Sequence, residues 1–160
     1  MNVLYPTANQ ATRDALRRSL QSRVEQFQDW LTAGQIKRVI EVVENVPATL
    51  ADLVAIIANM DVNVNARIGA SAVLERYAGT PPLQALIPLL GKLSAHADAR
   101  VRAEACHFLG LSVSSAASQY LVARVTDPDV EVREIATESL AALPATKPTE
   151  RHSENLPVNT

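Results

Sequence analysis

The sequence has little of what covalent, metal-based or nucleic-acid-binding frameworks need. Its 160 residues include one cysteine, Cys106, which excludes an intramolecular disulfide and a Cys-rich zinc module. Aromatic residues make up 4% of the chain and only five residues are glycine, so the composition favours helices over a β-sandwich. The net charge is −2, whereas a domain that covers duplex nucleic acid is usually strongly basic. We therefore do not expect nucleic acid to be the partner.

Long hydrophobic runs are missing as well. No stretch approaches the roughly 20 apolar residues that span a bilayer, and Met1–Pro6 lacks the basic and apolar parts of a signal peptide. We therefore expect no membrane association, and a cytoplasmic protein with a free thiol. The chain also lacks a Gly-rich phosphate loop and the Gly-x-Ser-x-Gly and His-Glu-x-x-His motifs. We expect no catalytic residues, cofactor or metal.

Apolar residues that recur every three or four positions indicate helices from the N-terminal region onward. Within residues 1–46 this spacing predicts a helical hairpin, which would cap the repeats that follow. The apolar positions that carry it are Leu16, Leu20, Val24, Phe27, Leu31, Ile36, Val39, Ile40 and Val43. Residues 47–143 contain three repeats. Residues 144–160 lack this periodicity and include three prolines, which predicts a disordered tail.

The repeats are visible because three segments, 60–74, 95–109 and 126–140, align with one another. Arg67, Arg102 and Arg133 occupy the same position, at offsets of 35 and then 31 residues. An apolar helix precedes each segment, at 50–58, 83–93 and 119–125. Each pair of helices has apolar surface on more than one side, so the pairs must stack to bury it.

Three further positions of the repeat have clear physical roles. One holds residues that can cap the second helix of each pair, namely Asn63, Asp98 and Asp129. The next is small, where two helices are expected to cross closely, and holds Ala70, Ala105 and Ala136. The third lies on the same face, fills the core, and holds Leu74, Leu109 and Leu140.

This pattern resembles the HEAT-repeat family. The family motif of an Asp-Pro-Asp turn, Val-Arg, Ala and Leu is met by Asp127–Asp129, Val132–Arg133, Ala136 and Leu140, and nearly as well by 101–110. The resemblance covers about residues 48–143. It implies an all-α superhelix, a solenoid of about eight helices in four pairs whose second helices line a concave face. Most family members bind other proteins.

The resemblance also raises three other functions. Some short relatives handle bilins, so a tetrapyrrole-handling lyase or chaperone is an alternative function. Others act on DNA bases, but that activity uses a basic groove, and the last repeat here is acidic. A third branch carries a di-iron centre on repeated His-Glu dipeptides, and none of the three histidines is followed by Glu.

The three aligned arginines form a ladder. The resemblance favours a structural role, in which each guanidinium binds turn carbonyls or the carboxylates of Asp98 and Asp129. A planar guanidinium suits this role because it satisfies several acceptors at once. The alternative is a row of anion sites, for which the neighbouring Arg100 is the freer side chain.

Cys106 and His107 are sequence neighbours, and adjacent helical residues point about 100° apart, which argues against a nucleophile pair. Both align with small or polar residues, so we expect them on the inner face or its border. His107 could then meet Glu104 or Glu138.

The main functional hypothesis is a non-enzymatic scaffold, adaptor or assembly factor that binds a protein or peptide on the concave face. The predicted contact residues are Ser71, Glu75, Arg100, Glu104, His107, Glu134, Thr137 and Glu138. An uncapped solenoid end could also form a homodimer, with Ile135 beside the outer glutamates as a contact.

Overall fold

The computed structural model describes residues 46–62 and 64–145. Every regular element in these ranges is helical, which confirms the all-α prediction. The helices are α1 (Val46–Ala58), α2 (Val64–Glu75), α3 (Pro81–Gln84), α4 (Ile87–Leu93), α5 (Ala99–Leu111), α6 (Ser118–Val122) and α7 (Val130–Ala142), with a 3₁₀ turn (Ser115–Ala117) before α6. The predicted hairpin within residues 1–46, apart from Val46, and almost all of the predicted tail lie outside the described residues.

The helices form three successive pairs. α1 packs on α2, the α3–α4 segment packs on α5, and α6 packs on α7. The apolar segment 83–93, predicted as one helix, is two helices, because Pro88 has no N–H to continue an unbroken hydrogen-bond ladder. Pro88 lies instead in the first turn of α4, where N–H groups have no intrahelical partner.

Aspartates begin the second helices of the later two pairs, as the sequence predicts. The Asp98 carboxylate accepts a hydrogen bond from the Arg100 N–H at 2.8 Å. The Asp129 carboxylate accepts from the N–H groups of Glu131 and Val132 at 3.0 and 3.2 Å. Such caps satisfy donors that the first helical turn leaves free. Asn63, the third predicted cap, lies outside the described residues.

Small residues set the distance between stacked pairs. A Cβ added at Gly110 of α5 would lie 2.6 Å from Ser139 Cβ of α7, and one added at Gly91 of α4 would lie 2.5 Å from the Tyr120 ring of α6. The small position is buried throughout the three repeats, in Ala70, Ala105 and Ala136. Two consecutive pairs therefore approach each other closely on both their first and second helices.

The hydrophobic core runs through the stack between layers of helices, and its largest fully buried side chains include Phe108, Leu74, Leu109 and Leu121. Packing is uneven along it: α5 and α7 are in extensive contact, whereas α2 and α5 meet at few residues. None of the described helices combines the length and apolar character needed to cross a bilayer.

Candidate functional site

The arginine ladder is structural at its second and third rungs. Arg102 Nη1 donates to the carbonyl oxygens of His96 and Ala97 at 3.0 and 2.9 Å. Arg133 Nη1 donates to the carbonyl oxygens of Asp127 and Pro128 at 2.8 and 3.2 Å. The predicted turn carbonyls are therefore the acceptors, and these two guanidinium groups stabilise the turns that precede their own helices.

The carboxylate partner of Arg102 is Asp127. Asp98 and Asp129, the carboxylates suggested as the alternative to the turn carbonyls, accept no hydrogen bond from a ladder arginine among the described residues. Arg102 Nε and Nη2 donate to the two Asp127 oxygens at 3.0 and 2.8 Å, and Arg124 Nη1 donates to Oδ2 at 3.1 Å. Asp98 and Asp129 cap helices instead. The Arg102 hydrogen bond lowers the pKa of Asp127 and the same bond raises the pKa of Arg102.

The first rung differs from the other two. Arg102 binds Asp127, which lies in the turn of the following repeat. For Arg67 the residue at that position of the following repeat is His96, which offers no carboxylate. Within the described residues the buried Nε of Arg67 has no hydrogen-bond partner. The bidentate Arg102–Asp127 pair therefore has no counterpart at Arg67 among the described residues, although the charge of Arg67 acts on the Glu104 carboxyl of the second repeat.

Cys106 is fully buried, so its expected position on or beside the inner face is wrong. Burial raises the pKa of its thiol to about 11, which keeps it protonated at neutral pH. Cys106 lies on the same side of α5 as Ala103 and Gly110, at helical spacing, and all three are buried. Because Gly110 closely approaches Ser139 of α7, this is the side of α5 that packs against α7.

His107 contacts the preceding repeat. Its Nε2 lies 3.4 Å from Glu75 Oε1, a partner that the sequence does not predict. The charge of His107 also acts on the carboxyl of Glu104, one of its two predicted neighbours. The two side chains remain 42% and 33% exposed, so the interaction is at the surface of the junction between α2 and α5. The imidazole also meets the edge of the Phe108 ring, with centroids 5.1 Å apart.

Glu104 lies in an apolar setting on α5. It lines a cleft between α1, α4 and α5, whose other walls include Ile57, Leu90 and Phe108, and burial raises the pKa of its carboxyl. The cleft volume is about 10 Å³, enough for one water molecule. Ligand pockets usually measure about 300–1,000 Å³, so this cleft gives no support to tetrapyrrole handling.

The structure divides the eight predicted contact residues into two groups. Ser71, Glu75, Glu104 and His107 are half-buried, on the helices that meet at the junction of the first two repeats. The exposed residues are Arg100, Glu134, Thr137 and Glu138. The first group is therefore less accessible to a partner than the second, and the role of all eight residues in binding stays a prediction.

The last helix borders a groove that three of the predicted contact residues help to line. Glu134, Thr137 and Glu138 line an open groove of about 370 Å³ together with Val125 and Arg133. The Thr137 hydroxyl donates to the Arg133 carbonyl oxygen at 2.7 Å, which leaves its lone pairs as acceptors. The sequence predicts the three α7 residues as contact residues. It does not predict Val125, which lies just before the aligned segment 126–140 and so outside the repeat motif.

Metal ligation finds no support in the part of the chain that the structure describes. Within residues 46–62 and 64–145, no three His, Cys, Asp or Glu side chains come together as possible ligands. The His107–Glu75 contact lacks a third ligand, and a stable zinc site needs at least three protein ligands.

Comparison with known proteins identifies the repeat. A family model described as HEAT repeats matches residues 50–141, which is more than half of the chain. The match includes all three pairs of the described solenoid except the ends of the first and last helices. HEAT repeats generally mediate protein–protein interaction. Neither a curated protein nor a solved structure matches the chain.

Proposed function

Because this chain belongs to the HEAT-repeat family, we propose that it is a non-enzymatic scaffold that binds another protein or a peptide along its second helices. A cytoplasmic adaptor or assembly factor is the role that best fits a short solenoid of this kind. The fold presents helix faces to a partner, and it carries no constellation of nucleophile, base and orienting group within the described residues.

The main support is a row of exposed positions that recurs from one second helix to the next. Arg100 of α5 aligns with Glu131 of α7, and His107 aligns with Glu138. Three of these side chains are exposed and His107 is 42% exposed. We call these four residues the second-helix ridge.

The charge along the ridge changes from one repeat to the next. α5 contributes a cation at Arg100, and α7 contributes two carboxylates at Glu131 and Glu138. Complementary charges across an interface fix the orientation of a partner more than they add affinity. A peptide with an acidic end and a basic end would therefore bind the ridge in one direction. The acidic end of the ridge would repel phosphates, which disfavours nucleic acid as the partner.

Affinity capture with matched variants tests this proposal. Full-length wild type and the Glu131→Gln/Glu138→Gln variant are immobilised and the proteins recovered from a source lysate are compared. A control, Ser115→Lys/Gln119→Lys, makes the same change in net charge on the exposed side of the first-helix layer. We expect the ridge variant to lose partners that the control retains.

Equal recovery by the ridge variant and the wild type would contradict the ridge as the contact surface. Circular dichroism and size-exclusion chromatography of each variant establish that the fold is retained, which separates loss of contact from loss of structure. Surface substitutions of this kind usually change stability by less than about 0.5 kcal/mol.

A further inference from the structure

The end of the described solenoid exposes positions that are buried one repeat earlier. On α5, the residues Ala103, Cys106 and Gly110 share one side of the helix, and α7 covers that side. The residues of α7 at the same positions are Glu134, Thr137 and Ala141, and all three are exposed. This side of α7 therefore has the geometry of a stacking surface with no described helix against it.

The first helices show the same difference. Gly91 of α4 is buried and approaches the Tyr120 ring of the next repeat. Its counterpart on α6 is Val122, whose side chain is 55% exposed. At the start of the second helices, Ala99 packs partly against the core, whereas its counterpart Val130 is 56% exposed. Two exposed valines thus occupy positions that the preceding repeat uses for stacking.

These positions form one surface, which we call the terminal face: Val122, Val130, Glu134, Thr137 and Ala141. It is continuous with the groove of about 370 Å³ that Glu134 and Thr137 help to line. Ile135, which the sequence suggested as a dimer contact, is not part of the face, because it is half-buried against the core. Exposed apolar residues beside a polar rim are typical of interaction sites.

Charge determines which occupant suits the terminal face. α7 carries three exposed glutamates, Glu131, Glu134 and Glu138, and its one arginine, Arg133, is held by the turn carbonyls. Two copies that met through this face would bring their glutamates together, which is unfavourable. A helix with apolar residues for the two valines and with lysine or arginine beside them would be complementary.

We propose that the terminal face binds a basic amphipathic helix of a partner protein, which packs on α6 and α7 as the next repeat of the stack would. The proposal rests on the proposed function, since it specifies the kind of partner that the scaffold takes. It differs in location, because the two surfaces share no residue and the terminal face lies at the end of the described stack.

A displayed library of helices provides a direct test that needs no knowledge of the natural partner. The library keeps an apolar seam of Val, Ala and Leu, and it varies the flanking positions among Lys, Arg, Glu, Gln and Ser. Selection on the full-length wild-type chain should enrich Lys and Arg at those flanking positions. The selected helices should bind Glu134→Lys, and separately Val122→Ser/Val130→Ser, about tenfold more weakly than they bind wild type.

Two controls assign the binding to the terminal face. Arg100→Gln alters the second-helix ridge on α5, outside the terminal face and its three glutamates, and it should bind the selected helices as wild type does. Asp61→Lys, at an exposed position in the turn between α1 and α2, matches the charge change of Glu134→Lys in the first repeat and should also bind normally. These controls separate failure of this proposal from failure of the ridge proposal.

Several outcomes would overturn the terminal-face proposal. They are a selection that yields no binders, binders without Lys or Arg enrichment, and binders that tolerate Glu134→Lys or that depend on the ridge. Sedimentation velocity provides a further test. If the wild type is a dimer and Val122→Ser/Val130→Ser is a monomer, the terminal face binds a second copy of the chain and the proposal is wrong.

Discussion

Arg102 and Asp127 connect the second repeat to the third through two parallel hydrogen bonds. The guanidinium donates to both carboxylate oxygens, at 3.0 and 2.8 Å, and the Asp127 side chain has no exposed surface. The same guanidinium also binds the carbonyl oxygens of the turn before α5. One side chain therefore stabilises both its own turn and the junction with the next repeat.

Replacing Asp127 should therefore destabilise the solenoid strongly. We expect Asp127→Ala to lower the free energy of unfolding by about 3 kcal/mol, because it leaves the buried part of Arg102 without its counter-ion. Asp129→Ala, which removes only a helix cap, should cost about 1 kcal/mol. Urea denaturation of the full-length variants followed by circular dichroism measures both values. Equal costs would contradict the special role of Asp127.

The same ion pair predicts how stability changes with acid. The folded-state pKa of Asp127 is lowered from its ordinary value of 3.8, so the stabilisation is fully present above that value. It is lost as the pH falls through the lower folded-state pKa. The difference in unfolding free energy between wild type and Asp127→Asn should thus be constant near neutral pH and shrink below about pH 4. A difference that persists at lower pH would exclude this carboxylate as its source.

Gly110 should not tolerate even a methyl group. The Cβ of Gly110→Ala would lie 2.6 Å from Ser139 Cβ, so α5 and α7 would have to separate. We expect a loss of about 1–3 kcal/mol, although alanine favours helices more than glycine does. The matched position one repeat later is Ala141, which is exposed, and Ala141→Gln should change stability by less than about 0.5 kcal/mol. Thermal unfolding of the two variants provides the comparison, and a neutral Gly110→Ala would refute the close approach.

The Cys106 thiol should be inert in the folded protein. It has no exposed surface, and burial raises its pKa to about 11, so the reactive thiolate is scarce at about pH 8. A colourless disulfide reagent that releases a chromophore on reaction should label Cys106 slowly in buffer and rapidly in denaturant. Rapid labelling of the native chain would show that α5 and α7 separate readily.

Much of the fold could be predicted because the repeat pattern is local. The caps Asp98 and Asp129 and the small position occupied by Ala105 and Ala136 follow from spacing along one helix pair. The division of segment 83–93 into two helices was missed, although Pro88 was visible, because proline is tolerated in the first turn of a new helix. The contact residues stay a prediction, since spacing gives their side of each helix but does not show that Glu75 and His107 meet across the junction of α2 and α5.

The sequence by itself determined that the chain is a stack of helix pairs. It also determined which residues cap the helices, which allow close packing and which fill the core, because these roles depend on periodicity within about 30 consecutive residues. Only the tertiary structure decided which carboxylate pairs with Arg102, which repeat His107 contacts, and that Cys106 is covered while Thr137 is exposed. The physical reason is that spacing gives the direction of a side chain on its own helix but does not specify what lies opposite it. That depends on the neighbouring repeat, and the same position is buried in α5 and exposed in α7 for this reason alone.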